Sequence, residues 1–329
     1  MTITIKDIAT AVGVSYSTVS KALNDSPLVK QETKAKIIKI AKDLGYEPNF
    51  AAQRLVKKES KLIGLAWPTL DRMAHSVLAT KINEEFTKNG YSMILSINSI
   101  QTSLDIFKRY QADGVIIFDE ESTKTVHALT TIPIVSYGVG KGKDFPIVDV
   151  NYQKAMYAAV EYLAKLGHEK IAFIGDFSPI DDRQIEKYRG FQNAMQHFEL
   201  SFSGDNLINT AGLSWYDGYI AAKRLLQSAF IPTAIIGTSY DISAGIVRAI
   251  REANFIIPKD ISVVSYDNIP QMGNMEIPLT SVGVPVDVMA KQIVQTILRA
   301  IQNRQDVPLI QTLDPQLTER NSCAHVRNI

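Results

Sequence analysis

Cysteine is almost missing: the 329 residues include one, Cys323. A lone thiol builds no internal disulfide framework, which fits a reducing cytoplasm. Long apolar runs are missing as well. No stretch approaches the roughly 18 uninterrupted apolar residues of a membrane span, and no charged-then-apolar leader opens the chain, so neither insertion nor export is expected. Histidine is sparse. His75, His127, His168, His197 and His325 are scattered, with no metal-ligand spacing and no nucleophile triad. The glycine-rich run Gly138-Val-Gly140-Lys-Gly142 lacks the Gly-Lys-Ser/Thr ending of a phosphate-cradling loop. Catalysis, a metal and a cofactor are therefore not expected.

Net charge is also low, at +1, but it is not evenly spread. Residues 1–60 hold ten Lys plus Arg against six Asp plus Glu, and residues 61–329 hold 25 against 28. The basic excess lies where a small phosphate-binding module would need it. The chain is longer than one core usually supports, so two or three domains are expected.

The first stretch, Thr4 to Lys58, reads as helical. Thr4 followed by Asp7 is a capping-box pattern, and Ile5, Ile8, Ala9 and Val12 recur on one helix face. Gly13 supplies a sharp turn, and Ser15 caps a second helix from Tyr16 to about Leu23. Val19, Ala22 and Leu23 turn inward, leaving Tyr16, Ser17, Ser20, Lys21 and Asn24 as an outward set of donors and acceptors able to read a groove. A third helix, about Lys30 to Leu44, buries Thr33, Ile37, Ile40, Ala41 and Leu44 and stops at Gly45. Pro48 then forbids continuation, and Asn49 caps a two-turn element, Phe50 to Val56, too short to be stable alone.

After the polar joint 57–61, short apolar runs alternate with amphipathic stretches. Strands are expected at Leu62 to Trp67, Ser92 to Ile97, Gly114 to Phe118 and Ile134 to Tyr137. A second set is expected at Ile171 to Ile174, Leu207 to Thr210, Ala234 to Gly237 and Ser262 to Tyr266. Helical patterns intervene in both, which implies parallel sheets covered on both faces. The last segment, a strand Ser281 to Val284, a helix Val286 to Gln302 and a strand near Ile310 to Leu313, has no obvious place if two lobes are simply consecutive; it can return to complete the first.

Residues 3–56 resemble the DNA-binding headpiece of the LacI family of bacterial transcription regulators. The likeness is carried by Ile-Lys-Asp-Ile-Ala, Val-Ser-Tyr-Ser-Thr-Val-Ser-Lys, Leu-Gly-Tyr-Glu-Pro-Asn and a hinge helix ending in Leu55. Leu-Gly-His-Glu-Lys-Ile-Ala-Phe-Ile-Gly (166–175), Tyr-Arg-Gly-Phe (188–191), the run 257–267 ending Val-Ser-Tyr-Asp, and Pro-Leu-Thr-Ser-Val (278–282) extend it over nearly the whole chain. The resemblance implies a helix-turn-helix domain at 1–48, a hinge and linker at 49–61, and an α/β two-lobed core at 62–329, similar to periplasmic sugar-binding proteins. Lobe 1 would take about 62–167 and 286–313, and lobe 2 about 168–285 and 314–329, with crossings near Gly167, Pro285 and Asp314.

The family's DNA contacts then fall on particular positions here. Tyr16, Ser17 and Lys21 would touch major-groove base edges; Thr4, Ser15, Thr18, Ser20, Asn24 and Thr33 would touch phosphates; Leu55 would wedge into a minor-groove step. Lys21 stands where many members carry Arg. In the cleft, Asp267 matches an acid that accepts ligand hydroxyls, and Lys187 stands where the family usually has an Arg, with Arg183 as a nearby substitute. The loop 68–75 departs from the family pattern, which brings Asp71 or Arg72 into play, and Trp215 falls near a sugar-stacking position. The partners implied are operator DNA, a small effector such as a sugar or sugar derivative, and a second copy of the chain in a homodimer. The rival readings are a sugar-binding or transport component without DNA function, and a regulator in which ligand promotes DNA binding.

Overall fold

A computed structural model describes residues 3–46, 59–118, 131–138, 145–178, 181–302 and 307–326. The segment containing Leu55 and the expected hinge helix lies outside these residues, as does most of the run 138–142. The chain separates into two units between Ser60 and Lys61.

The first unit is all-helical: α1 (Ile5–Val12), α2 (Tyr16–Leu23) and α3 (Gln31–Asp43). Its core is Ile8, Ala9, Val12, Val19, Ala22, Val29, Ile37 and Ala41. One α3 expectation is corrected: Leu44 is exposed; Lys34, which the sequence did not single out, is buried. Lys34 earns that place by an ion pair, its Nζ lying 2.6 Å from Asp25 Oδ1, while its stem covers apolar surface.

The second unit holds two six-stranded sheets. The first is built from β1 (Leu62–Ala66), β2 (Ser92–Ser96), β3 (Gly114–Phe118), β4 (Ile134–Tyr137), β5 (Ile147–Val150) and β11 (Ile310–Leu313), in the order β11-β5-β4-β3-β1-β2, all parallel. The second is built from β6 (Ile171–Gly175), β7 (Leu207–Asn209), β8 (Ala234–Gly237), β9 (Ser262–Asn268), β10 (Thr280–Pro285) and β12 (Gln316–Thr318), in the order β12-β10-β9-β8-β6-β7, with only β12 antiparallel. β1, β3, β6 and β8 are buried along their whole length. Helices cover both faces, so these strands read as unbroken apolar runs.

The helices α4 (Met73–Lys88), α5 (Ile100–Arg109) and α10 (Val286–Gln302) pack on the first sheet side, with α4 against α10. The helices α6 (Tyr152–Lys165), α7 (Asp182–His197), α8 (Trp215–Leu226) and α9 (Tyr240–Glu252) serve the second. The position of α6 revises an expectation. Its buried face, Ala155, Met156, Ala159, Val160 and Leu163, packs against α7 and β10, so the chain crosses between lobes near Asn151, before α6, and not near Gly167 after it. Gly167, at φ 84, is the turn that ends α6. His168 beside it binds Thr233 Oγ1 and the Ala324 carbonyl, both at 3.0 Å, tying the C-terminal segment to β8.

Candidate functional site

In the helical unit the exposed face of α2 is set by caps. The Asp7 carboxylate accepts from the Thr4 N–H at 2.8 Å and from Thr4 Oγ1 at 2.7 Å; these bonds hold its pKa below the usual carboxylate value. Gly13 takes φ 78 and turns the chain. Ser15 then caps α2, accepting from the Thr18 N–H at 3.2 Å. With Val19 and Ala22 buried, Tyr16, Ser17 and Lys21 stand exposed on one exposed face. Ser15 Oγ lies 2.9 Å from Ser17 Oγ and 2.8 Å from Thr18 Oγ1. Asn24 turns its amide back to the Ser20 carbonyl. Thr4 and Asn24 are exposed, while Thr18, Ser20 and Thr33 are partly so.

In the α/β unit a cavity of about 70 Å³ lies between the two sheets' lobes. The first lobe supplies an aromatic wall. Trp67 follows β1, Phe118 ends β3 and Tyr137 ends β4, with Trp67 and Phe118 centroids 4.9 Å apart and Phe118 and Tyr137 5.3 Å apart. His75 of α4 packs edge-on to Phe118 at 4.6 Å. Burial first, and then the cations Arg72, Arg183 and Lys187, push its pKa down to about 2, so the imidazole is neutral.

The second lobe supplies charge. Arg183 and Lys187, one turn apart on α7, are 5% and 3% exposed. Arg183 is neutralised by Asp181 through two bonds, 2.9 and 3.1 Å, and its guanidinium lies 4.1 Å over the Phe118 ring, linking the lobes. Lys187 donates to the Thr238 carbonyl at 2.9 Å and sits 3.7 Å over the Tyr266 ring. Burial drives its pKa down to about 7, against the pull of Asp267.

Asp267, near the end of β9, has φ 82, a conformation that costs a non-glycine residue about 1–3 kcal/mol. Its Oδ2 accepts from the Tyr240 N–H at 2.9 Å. Across the cleft, Asp241 accepts from the Met73 N–H at 3.3 Å, and burial together with Asp267 raises its pKa.

Of the expected ligand residues, Arg72, Arg183, Lys187 and Asp267 converge on this cavity, and Asp71 and Trp215 do not line it. Trp215 opens α8 behind the Ser214 cap and stacks on Tyr219 at 5.5 Å. His75, Gln184, Phe118, Tyr137, Tyr152 and Tyr266 also line it and were not singled out from sequence. The available signal was an aromatic residue at or next to the last position of a core strand, where side chains reach the carboxyl-end crevice.

Among the described residues no helix is long and apolar enough to cross a membrane, and no group of His, Cys, Asp and Glu could hold a metal. Cys323 is spent on packing: its Sγ lies 3.2 Å from the Val263 carbonyl, and burial raises its pKa to about 11.

Comparison with known proteins gives the same two parts. Residues 4–49 match the family described as bacterial regulatory proteins, lacI family, and residues 160–323 match a periplasmic binding protein-like domain. The regulator AglR of Rhizobium meliloti (strain 1021) is 30% identical over 325 residues, spanning 94% of this chain and 90% of the relative. The transcriptional repressor PurR of Haemophilus influenzae (strain PittEE) is 26% identical over 313 residues, 92% of each chain. Among solved structures, a lac repressor dimer bound to operator and the anti-inducer ONPF superposes with TM-score 0.84 at 25% identity, covering 98% of this chain and 100% of that one. A regulator from Enterococcus faecium with bound ribose shares the fold at TM-score 0.72 and 23% identity, over 81% of this chain and 100% of that one. The chain thus belongs to the LacI family of bacterial regulatory proteins and is a DNA-binding transcriptional regulator.

Proposed function

We propose that the protein is a repressor that binds a near-palindromic operator as a homodimer and is controlled by a small hydroxylated metabolite in the inter-lobe cleft. The observation that carries the effector half is the convergence on one cavity of Arg72 before α4, Arg183 and Lys187 of α7, and Asp267 of β9. Buried charges are expensive, and the buried Arg183 and Lys187, gathered with the partly exposed Arg72 and Asp267 and with aromatic rings, mark a ligand site better than they mark a core. For the DNA half, Tyr16, Ser17 and Lys21 are assigned to base edges, Thr4, Ser15, Thr18, Ser20, Asn24 and Thr33 to phosphates, and Leu55 to the minor-groove wedge between half-sites. Sugar sensing is supported by a family neighbour carrying ribose.

Control is a population shift: ligand binds one lobe arrangement more tightly, and that preference is transmitted to the DNA-binding unit. A mobility-shift titration on DNA upstream of the protein's own gene, with and without candidate sugars, tests this. Release of the operator by a sugar that Asp267→Asn no longer recognises is the expected result. An operator complex indifferent to every cleft ligand would refute effector control, and one tightened by ligand would reverse its sign.

A further inference from the structure

The cleft offers more hydrogen-bond donors and positive charge than the protein satisfies. Arg72 Nε is buried without a partner, and so is His75 Nδ1. Lys187 has one hydrogen bond, to Thr238 O, and a ring beneath it. Among the described residues neither Arg72 nor Lys187 forms an ion pair, whereas Arg183 is matched by Asp181. A buried ammonium facing an aromatic ring and a carbonyl has given up water, and Asp267 attracts it without forming an ion pair. The acceptors that remain are few. Asp267 keeps one oxygen beyond its bond to Tyr240 N–H, and Gln184 Oε1 is buried with no partner. Asp241 does not line the cavity and accepts from the Met73 N–H.

We propose that the effector is a small hydroxylated molecule carrying one anionic group, phosphate or carboxylate, received by Arg72 and Lys187 while Asp267 and Gln184 take its hydroxyls. This rests on the cleft being the effector site and narrows the effector's class. A neutral sugar would leave both cations unmet; an anion satisfies them and becomes a third-party counter-ion in a low-dielectric cleft, where charge-assisted hydrogen bonds are strong. The groups facing Lys187 are Asp267 and Tyr266 of β9, Tyr152 of α6, Asp181 and Arg183 at the start of α7, and Arg72 before α4. With the lysine at a pKa of about 7, anion binding draws a proton from solvent onto Nζ. Affinity is then highest below pH 7 and falls as pH rises above it.

The test is tryptophan fluorescence of the full-length protein, since Trp67 borders His75 at 6.0 Å. Sulfate, whose charge is constant across the range, is titrated against chloride at fixed ionic strength from pH 6 to 9. Glucose, glucose 6-phosphate and glucuronate, and ribose with ribose 5-phosphate, are titrated alongside. Sulfate is expected to bind in the millimolar range, to weaken as pH rises above 7, and to lose at least tenfold in affinity in Lys187→Met and in Arg72→Met. Each anionic sugar is expected to bind at least tenfold tighter than its neutral counterpart. The inference is overturned if sulfate acts no differently from chloride, if both variants bind it unchanged, or if neutral sugars bind as well as their anionic counterparts. A neutral sugar that releases the operator through Asp267 would sink the anion and leave the effector reading standing. Sulfate binding at Lys187 with an operator complex blind to every cleft ligand would do the reverse.

Discussion

At the scale of the residue, Lys187 sets function against stability. Its pKa is about 10.5 unfolded and about 7 folded. Below pH 7 both states hold the proton and the folded state bears the full cost of burying it. Between 7 and 10.5 the unfolded state alone keeps the proton, so stability rises with pH through that window. Lys187→Met should therefore raise stability near pH 6.5 by about 2–4 kcal/mol, one pKa unit being about 1.4 kcal/mol, and the gain should shrink by pH 9. Urea midpoints of the two proteins at both pH values measure it; a destabilised variant would mean that the Thr238 bond and Tyr266 ring outweigh burial. On the DNA side, Lys21 is exposed beside Tyr16 and Ser17. Lys21→Ala should relax base preference, costing about 1–3 kcal/mol on the best operator, with far less change on a scrambled duplex. Equal loss on both would make Lys21 a phosphate contact.

Residue identities were legible in the sequence where chemistry is local. Asp267 lies near the end of an apolar strand where the family resemblance puts an acid, and Lys187 stands where the family usually has an Arg, with Arg183 one turn before it, so their candidacy needed no tertiary information. His75 and the Tyr152 ring were not legible, because each becomes a cleft residue only when α4 and α6 meet elements of the other lobe. Trp215 misled for the converse reason: the Ser214 cap, with Asp217 accepting its N–H at 2.9 Å, makes it the first residue of a helix, stacked on Tyr219.

At the scale of the element, α6 and α7 cross closely because Gly190 lets them. A Cβ there would lie 2.5 Å from Gln153 Cα, a backbone contact that no rotamer relieves. Gly190→Ala should cost about 1–3 kcal/mol by overpacking, seen as a lower urea midpoint; an unchanged midpoint would show that the crossing can open freely. The same crossing explains where sequence reasoning placed a boundary wrongly. The periodicity of α6 is equally good for either lobe, so the glycine after it looked like the natural crossing, whereas the choice is made by packing on α7 and β10. Strands β5 and β12 were also passed over, although β4, β7 and β8 are as short, because each follows β4 or β11 closely in the sequence with no amphipathic helical stretch between to mark it as a new strand. The longer strands and all three headpiece helices were legible, because caps, Gly13 and apolar spacing agree with one another.

At the scale of the whole molecule, two units share one chain: a helical unit with a basic excess, and an α/β unit, the proposed sensor, whose cleft gathers Arg72, Arg183, Lys187 and Asp267. The alternation of strands and helices made the sensor's class legible, and the headpiece's spacing made the reader legible. The coupling between them is not written in either part; on the proposed function it belongs to an assembly of two copies on DNA. If two copies bind adjacent half-sites, the bound sequence must carry their two-fold symmetry. The most direct test is binding selection by the intact protein from a pool of random-sequence duplexes. Enrichment of a near-palindromic motif, bound at least about a thousandfold more tightly than unselected DNA and weakening steeply with salt, is the outcome expected of a specific reader. A pool that leaves the selection unenriched, with every duplex held equally and weakly, would contradict the account.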